Sequence, residues 1–531
     1  MDTILILDFG SQTTQLIGRR IRDMGVYTEI IPGDAALPAD LPASGIKGII
    51  LSGSPESVYE QGGVPDKAVY TCGLPLLGIC YGLQRMNFDQ GGTVEPLPKR
   101  EYGRIGVKMQ PLIPPFPAHI AQFLKGFQPS FTAWMSHGDT LTTLADGLTL
   151  YAVSDTGYPA VVIHNTKPWY GLQFHPEVTH CEGGSDILAA FALDVCGCTA
   201  TWTMEHYVEE MRSTLNARVG DNPVLLLISG GVDSTVAGAL LLKTLRGEQV
   251  HLMYMDTGLM RKDETKIVKA SLEKLGARHL HIIHCEEEFL SALKGLTEPE
   301  AKRKVIGDLF ITIQEREVAR LGLPDSYILA QGTLYTDLIE SGKGVGKKAH
   351  VIKSHHNVGS PLVDARRTAG KIIEPLDRLY KDEVRRLGHF LGVDADIVNR
   401  HPFPGPGLGV RIVGEVTREK CDILREADAI FLEELKVRVS PAGCRLYDEI
   451  WQAFAVLLPV RSVGVAGDVR KYGWVLALRA IISADGMTAD VYPFETRDLL
   501  EISTRITNTV PEIGRVVYDI SSKPPATIEW E

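Results

Sequence analysis

The sequence predicts an α/β protein: two successive α/β domains with mainly parallel central sheets, then a smaller α+β domain. Three observations predict it. The N-terminal third holds short apolar runs, ILIL at 4–7, GIIL at 48–51 and LPLLGI at 74–79, each ending at a Gly-rich turn as buried parallel strands do. At 224–228 the run VLLLI enters a Ser-Gly-Gly turn, and a helix-like stretch then leads to a second apolar run at 250–256, which reads as a βαβ unit. Near 400 this pattern breaks at HPFPGPGLG, three prolines and three glycines in nine residues.

With 531 residues and about 150 residues per domain, the chain divides at 1–198, 199–398 and 399–531. The first boundary is the turn cluster CGCTATWTM after Asp194, followed by a helical pattern. A hydrophobic fraction of 44% and a charged fraction of 23% suit packed cores and exclude wholesale disorder. A net charge of −11 argues against nonspecific nucleic-acid binding and a polybasic membrane surface. There is no long apolar span, and the N-terminus lacks a basic leader, so a cytoplasmic protein with no membrane or nucleic-acid partner is expected. The eight scattered cysteines fit a reducing compartment, and Cys196-Gly197-Cys198 lacks zinc-site spacing.

Gly78-Ile79-Cys80-Tyr81-Gly82 lies between a strand run and a helix-like stretch, the setting of a nucleophile elbow. Its bland alternative is a buried cysteine in a glycine-rich turn. A thiol nucleophile needs a base and an orienter for that base, and His175-Pro176-Glu177 offers both two residues apart. His137 and His164 have no comparable sequence pairing and read as structural. In this order, Cys80, His175 and Glu177 resemble a class I (triad) glutamine amidotransferase over roughly residues 1–197. The resemblance implies a flavodoxin-like domain that hydrolyses glutamine through a thioester on Cys80 and passes on ammonia. It further implies His175 as base, Glu177 as its orienter, and the Ser54 and Tyr81 N–H groups as the oxyanion hole. Ser54 departs from the family's SGGP loop, where glycine tolerates more conformations. Leu83 stands where relatives often have Met.

Ser229-Gly230-Gly231-Val232-Asp233-Ser234-Thr235 opens a helix directly after a strand, so its N–H groups and the helix dipole can hold phosphate. The chain lacks GxxxxGK[ST], which excludes a Walker A site. The heptapeptide resembles the ATP pyrophosphatase (PP-loop) family, with an adenine nucleotide hydrolase-like fold. That family cleaves ATP between the α and β phosphates to adenylate a carbonyl oxygen. Asp256, at the end of the next strand, should border the adenosine pocket; the alternative is an Asp that caps the turn. Asp337 and Glu340, three apart, suit Mg²⁺ ligation or proton handling, and Asp233 and Asp337 are the metal candidates. Lys343, Lys347, Lys348, Lys353, His350, His355, His356 and Asn357 form a basic stretch that reads as a mobile lid over the triphosphate. The His355-His356 pair lacks further ligands at zinc spacing, and no tightly bound organic cofactor is expected.

The final third selects the acceptor. HPFPGPGLGVRIVGEV at 401–416, DGMTAD at 485–490 and the tail at 515–531 resemble the GMP synthetase family. That resemblance implies XMP, Mg²⁺·ATP, glutamine and water giving GMP, AMP, pyrophosphate and glutamate through adenylyl-XMP. It also implies Arg411 and Lys523 at the XMP phosphate, Ile528 and Glu529 near the nucleotide, and a homodimer formed by the last domain. Thr336 and Ser360 depart from the family's TLYPD and HHNVGG, beside the lid. Ammonia released into bulk water would become ammonium, so the two sites must communicate. A glutamine-dependent NAD synthetase would need no such tail. A non-catalytic nucleotide sensor is disfavoured by intact Cys80, His175, Asp233 and Lys353.

Overall fold

The apolar runs are strands whose side chains are buried on both faces, as parallel strands covered by helices require. In a computed structural model, residues 1–38, 41, 43–60, 63–111, 115–340, 361–466, 469–483 and 488–531 are described. They form two compact units. One holds Met1–Tyr207 and the segment beginning at Tyr335; the other holds Val208–Leu334 and the described residues 361–531.

Among the described residues the first unit has a nine-stranded sheet. Tyr27–Pro32, Thr3–Asp8, Ile46–Leu51, Leu76–Ile79 and Trp169–Leu172 pair in parallel in that order. Pro159–His164, Leu148–Ser154, Thr93–Met109 and Ser130–Thr143 continue it antiparallel, so the sheet is mixed. Pro159–His164 is buried almost throughout, whereas Ser130–Thr143 alternates buried and less buried positions over its first half and has one wetter face.

The second unit contains a five-stranded parallel sheet, with Val224–Ile228 at its centre between Val250–Asp256 and Ile328–Ala330. Further along is a four-stranded sheet built on the hairpin Gln452–Ala466 and Val469–Ile482. Asp490–Val491 pairs antiparallel and Ile513–Tyr518 parallel with the second hairpin strand. The expected division at 398/399 does not separate two cores: Met255, Leu259 and Phe289 share one buried cluster with Phe431, Leu457 and Leu476. Helix Arg418–Val437 presents Cys421, Leu424, Phe431 and Leu435 to that cluster at helical spacing.

Candidate active sites

Cys80 sits between strand Leu76–Ile79 and helix Tyr81–Asp89, with φ at 53° and ψ at −107°. A non-glycine residue held there is strained, and neighbouring packing must enforce the turn. Gly82 permits it: a Cβ at that position would lie 2.2 Å from the Leu51 carbonyl oxygen. The Cys80 N–H donates to Leu172 O at 2.7 Å, tying the elbow to the strand that precedes His175. The sulfur lies 3.8 Å from Ser136 O and 3.7 Å from Gln173 Nε2.

His175 Nδ1 donates to Glu177 Oε1 at 2.7 Å, and Glu177 is fully buried. Burial pushes the imidazole pKa down, but the Glu177 charge and hydrogen bonds to Cys80 and Glu177 outweigh it and hold the value well above 6.5. An imidazolium beside a thiol favours the reactive thiolate. Among the described non-glycine residues, left-handed φ occurs at Cys80 and Asp263. Ser54 is therefore not in the conformation that demands glycine; its Oγ accepts from Glu56 N at 3.1 Å. Tyr81 opens the helix after the elbow, its ring packed at 5.4 Å on Phe9.

The second constellation is the turn between strand Val224–Ile228 and helix Val232–Thr244. Gly230 has φ of +79°, and a Cβ there would meet Glu264 Oε1 at 2.8 Å. Ser229 Oγ lies 3.1 Å from Ser234 Oγ, and Thr235 Oγ1 donates to Gly231 O at 2.9 Å, so hydroxyls brace the loop. Lys381 Nζ reaches both Asp233 oxygens at 2.6 Å. Asp256 accepts from Gly258 N at 3.1 Å and Thr265 Oγ1 at 2.8 Å, which makes it the cap of its own turn.

At the C-terminus, fully buried Arg411 forks onto Glu529 at 3.1 and 2.9 Å, and its guanidinium lies 4.1 Å above the Phe454 ring. Gln452 Nε2 also reaches Glu529, at 2.8 Å. Fully buried Arg479 donates to Ile528 O, Thr527 O, Ser521 O and Asp519. Lys302 Nζ binds Ile412 O and Gly414 O and pairs with Glu531. Lys523 pairs through its backbone with Ala489. Ile528 packs against the cluster of Phe454, Val456 and Ala477.

Family models match three stretches: glutamine amidotransferase class-I at 5–195, asparagine synthase at 209–305, and the GMP synthase C-terminal domain at 441–530. Over its full length the chain is 46% identical to a glutamine-hydrolyzing GMP synthase of Lactobacillus johnsonii, 98% of which is covered. It is 48% identical to one from Alkalilimnicola ehrlichii, with 99% of this chain and 98% of that one aligned. The chain belongs to the glutamine-hydrolysing GMP synthase family. It is a ligase that makes GMP with glutamine as amido donor, and the family implies XMP, ATP and glutamine as substrates.

In this GMP synthase chain the asparagine-synthase match covers the turn 229–235 and Asp256. Asp337 and Thr336 lie on helix Tyr335–Glu340. Lys343, Lys347, Lys348, His350, Lys353, His355, His356, Asn357, Ser360, Asp485, Gly486 and Met487 lie outside the described residues, as does the side chain of Glu340. No described helix is long and apolar enough to cross a membrane. Sequence reasoning missed Lys381, Lys302, Gln452 and Arg479. Only Arg479 carried a readable signal, a cation inside the strand run VLALRAII; Lys381 meets Asp233 across 148 residues.

Proposed function

We propose that GMP synthesis here runs as two half-reactions. In the first, the Cys80 thiolate attacks the glutamine carboxamide carbon while the Ser54 and Tyr81 N–H groups hold the oxyanion. The C–N bond breaks, His175 gives its proton to the departing nitrogen, and ammonia leaves a glutamyl thioester. His175 then takes a proton from water, which hydrolyses the thioester to glutamate and regenerates Cys80. Glu177 keeps the imidazole oriented throughout; its 2.7 Å contact with His175 beneath the strained Cys80 elbow is the observation that carries this reading.

In the second, ATP lies on Ser229, Gly230, Gly231, Val232, Asp233, Ser234 and Thr235, with the Lys381 cation alongside. The xanthine C2 oxygen attacks the α-phosphorus, pyrophosphate leaves, and ammonia then displaces AMP at C2. Among the described residues no group of three or more His, Cys, Asp or Glu is placed to hold a metal. The Asp233 carboxylate at the phosphate-holding turn fits Mg²⁺ carried mainly by triphosphate oxygens and water with one or two carboxylates. Asp233, exchanging its Lys381 contact for the ion, would hold it, and the ion would neutralise charge on the departing pyrophosphate. Lys523, Ile528 and Glu529 line the XMP site; Arg411, expected at the phosphate, is buried against Glu529 and fixes that carboxylate instead.

The protein acts in the cytoplasm as a homodimer through its last domain. The exposed Val460, Val463, Val465 and Tyr472 on the hairpin support the dimer, and a monomer mass at micromolar concentration in sedimentation equilibrium would refute it. The mechanism is tested with Cys80→Ala. Glutamine-dependent GMP formation should fall by about a thousandfold or more, while ammonium-dependent formation stays within about twofold. Retained glutamine use would overturn the thioester route.

A further inference from the structure

Beside the glutaminase elbow lies a buried Glu–His pair that the mechanism above does not use. Glu101 and His137 are directly opposed on the antiparallel strands Thr93–Met109 and Ser130–Thr143. His137 Nε2 stands 2.8 Å from Glu101 Oε2, and the two side chains are only 2% and 3% exposed. His137 Nδ1 lies 2.8 Å from Asp139 O. A carbonyl can only accept, so Nδ1 carries a hydrogen and donates to Asp139 O, while the Glu101 carboxylate closes off the opposite edge of the ring. Burial pushes the Glu101 carboxyl up, but hydrogen bonds from His137, Thr156 and Ser154 bring it below its ordinary value.

Residue 136, next in the chain, turns its carbonyl toward the Cys80 sulfur at 3.8 Å. Gln84 Nε2 holds the other end of the same segment through Asp139 O at 2.8 Å. We propose that Glu101 is a positioning residue for glutamine use, which through His137 fixes segment 136–139 so that the Ser136 carbonyl faces the reacting carboxamide on Cys80. The inference rests on Cys80 being the nucleophile. Without Glu101 the buried Nε2 edge of His137 loses the polar group packed against it, so the ring and the segment it holds are released. An amide at 101 would keep a hydrogen bond to a neutral imidazole that still donates to Asp139 O.

The test is steady-state glutamine kinetics of full-length Glu101→Ala and Glu101→Gln, with ammonium-dependent GMP formation measured on the same samples. For Glu101→Ala the glutamine KM should rise by about tenfold or more with kcat within about threefold. Glu101→Gln should return KM to within about threefold of the parent, and ammonium kinetics should be unchanged in both. The proposal is overturned if Glu101→Ala leaves KM unchanged, if it lowers kcat alone, as loss of folded glutaminase would, or if the two variants are equally impaired. Cys80→Ala in parallel separates the two levels: if that variant still used glutamine, the nucleophile assignment would fail and not the pairing alone.

Discussion

At His175, burial alone would leave a neutral ring, and Glu177 at 2.7 Å reverses that outcome. Because the folded-state pKa is raised above 6.5, the charged pair contributes stability that is fully present below about 6.5 and is lost as pH rises through the folded value. Glu177→Gln removes the cause. Its thermal midpoint should lie below the parent's at pH 6, with the gap closing as pH is raised, and glutamine-dependent kcat should fall by about a hundredfold or more. A gap in midpoint that does not change with pH would contradict this account of His175. Residue chemistry of this kind was legible where the partners are close in sequence, as His175 and Glu177 are. His137 reads as structural in the sequence because its carboxylate, Glu101, lies on the neighbouring strand and meets it only through sheet register.

At the scale of elements, parallel strands and phosphate-holding turns announce themselves by apolar runs ending in glycine, so the Cys80 elbow and the turn 229–235 were readable. The antiparallel half of the first sheet was not, because half-wet strands such as Ser130–Thr143 carry Ser, Thr and His among their apolar residues. Beyond 398/399, HPFPGPGLG breaks the secondary-structure pattern, yet Leu408 within it and Ile412 just after it are buried in the same cluster as Leu259. The tail and Arg411 were recognisable by family resemblance, but not Lys302 and Arg479, the other buried cations that hold it. Arg411 is fully buried with Glu529 as its two-pronged partner. Glu529→Ala should therefore destabilise the protein by about 3–5 kcal/mol, the effect of leaving a buried guanidinium uncompensated, as read by urea unfolding. A change under about 1 kcal/mol would mean that the pair is replaceable by solvent.

For the whole molecule, three successive motif sets in one order place the chain in a family whose members convert XMP to GMP at the expense of glutamine and ATP. Each half-reaction makes a different demand: the first must release nitrogen as uncharged ammonia, and the second must turn a poor leaving oxygen into AMP. The central claim is that adenylation at the turn 229–235 precedes amination. It is tested most directly by quantifying GMP, AMP and ADP from purified protein given XMP and Mg²⁺·ATP, once with glutamine and once with ammonium. The account predicts GMP and AMP in equal amounts from either nitrogen source, with no ADP. ADP in place of AMP, or AMP formed without GMP, would contradict it.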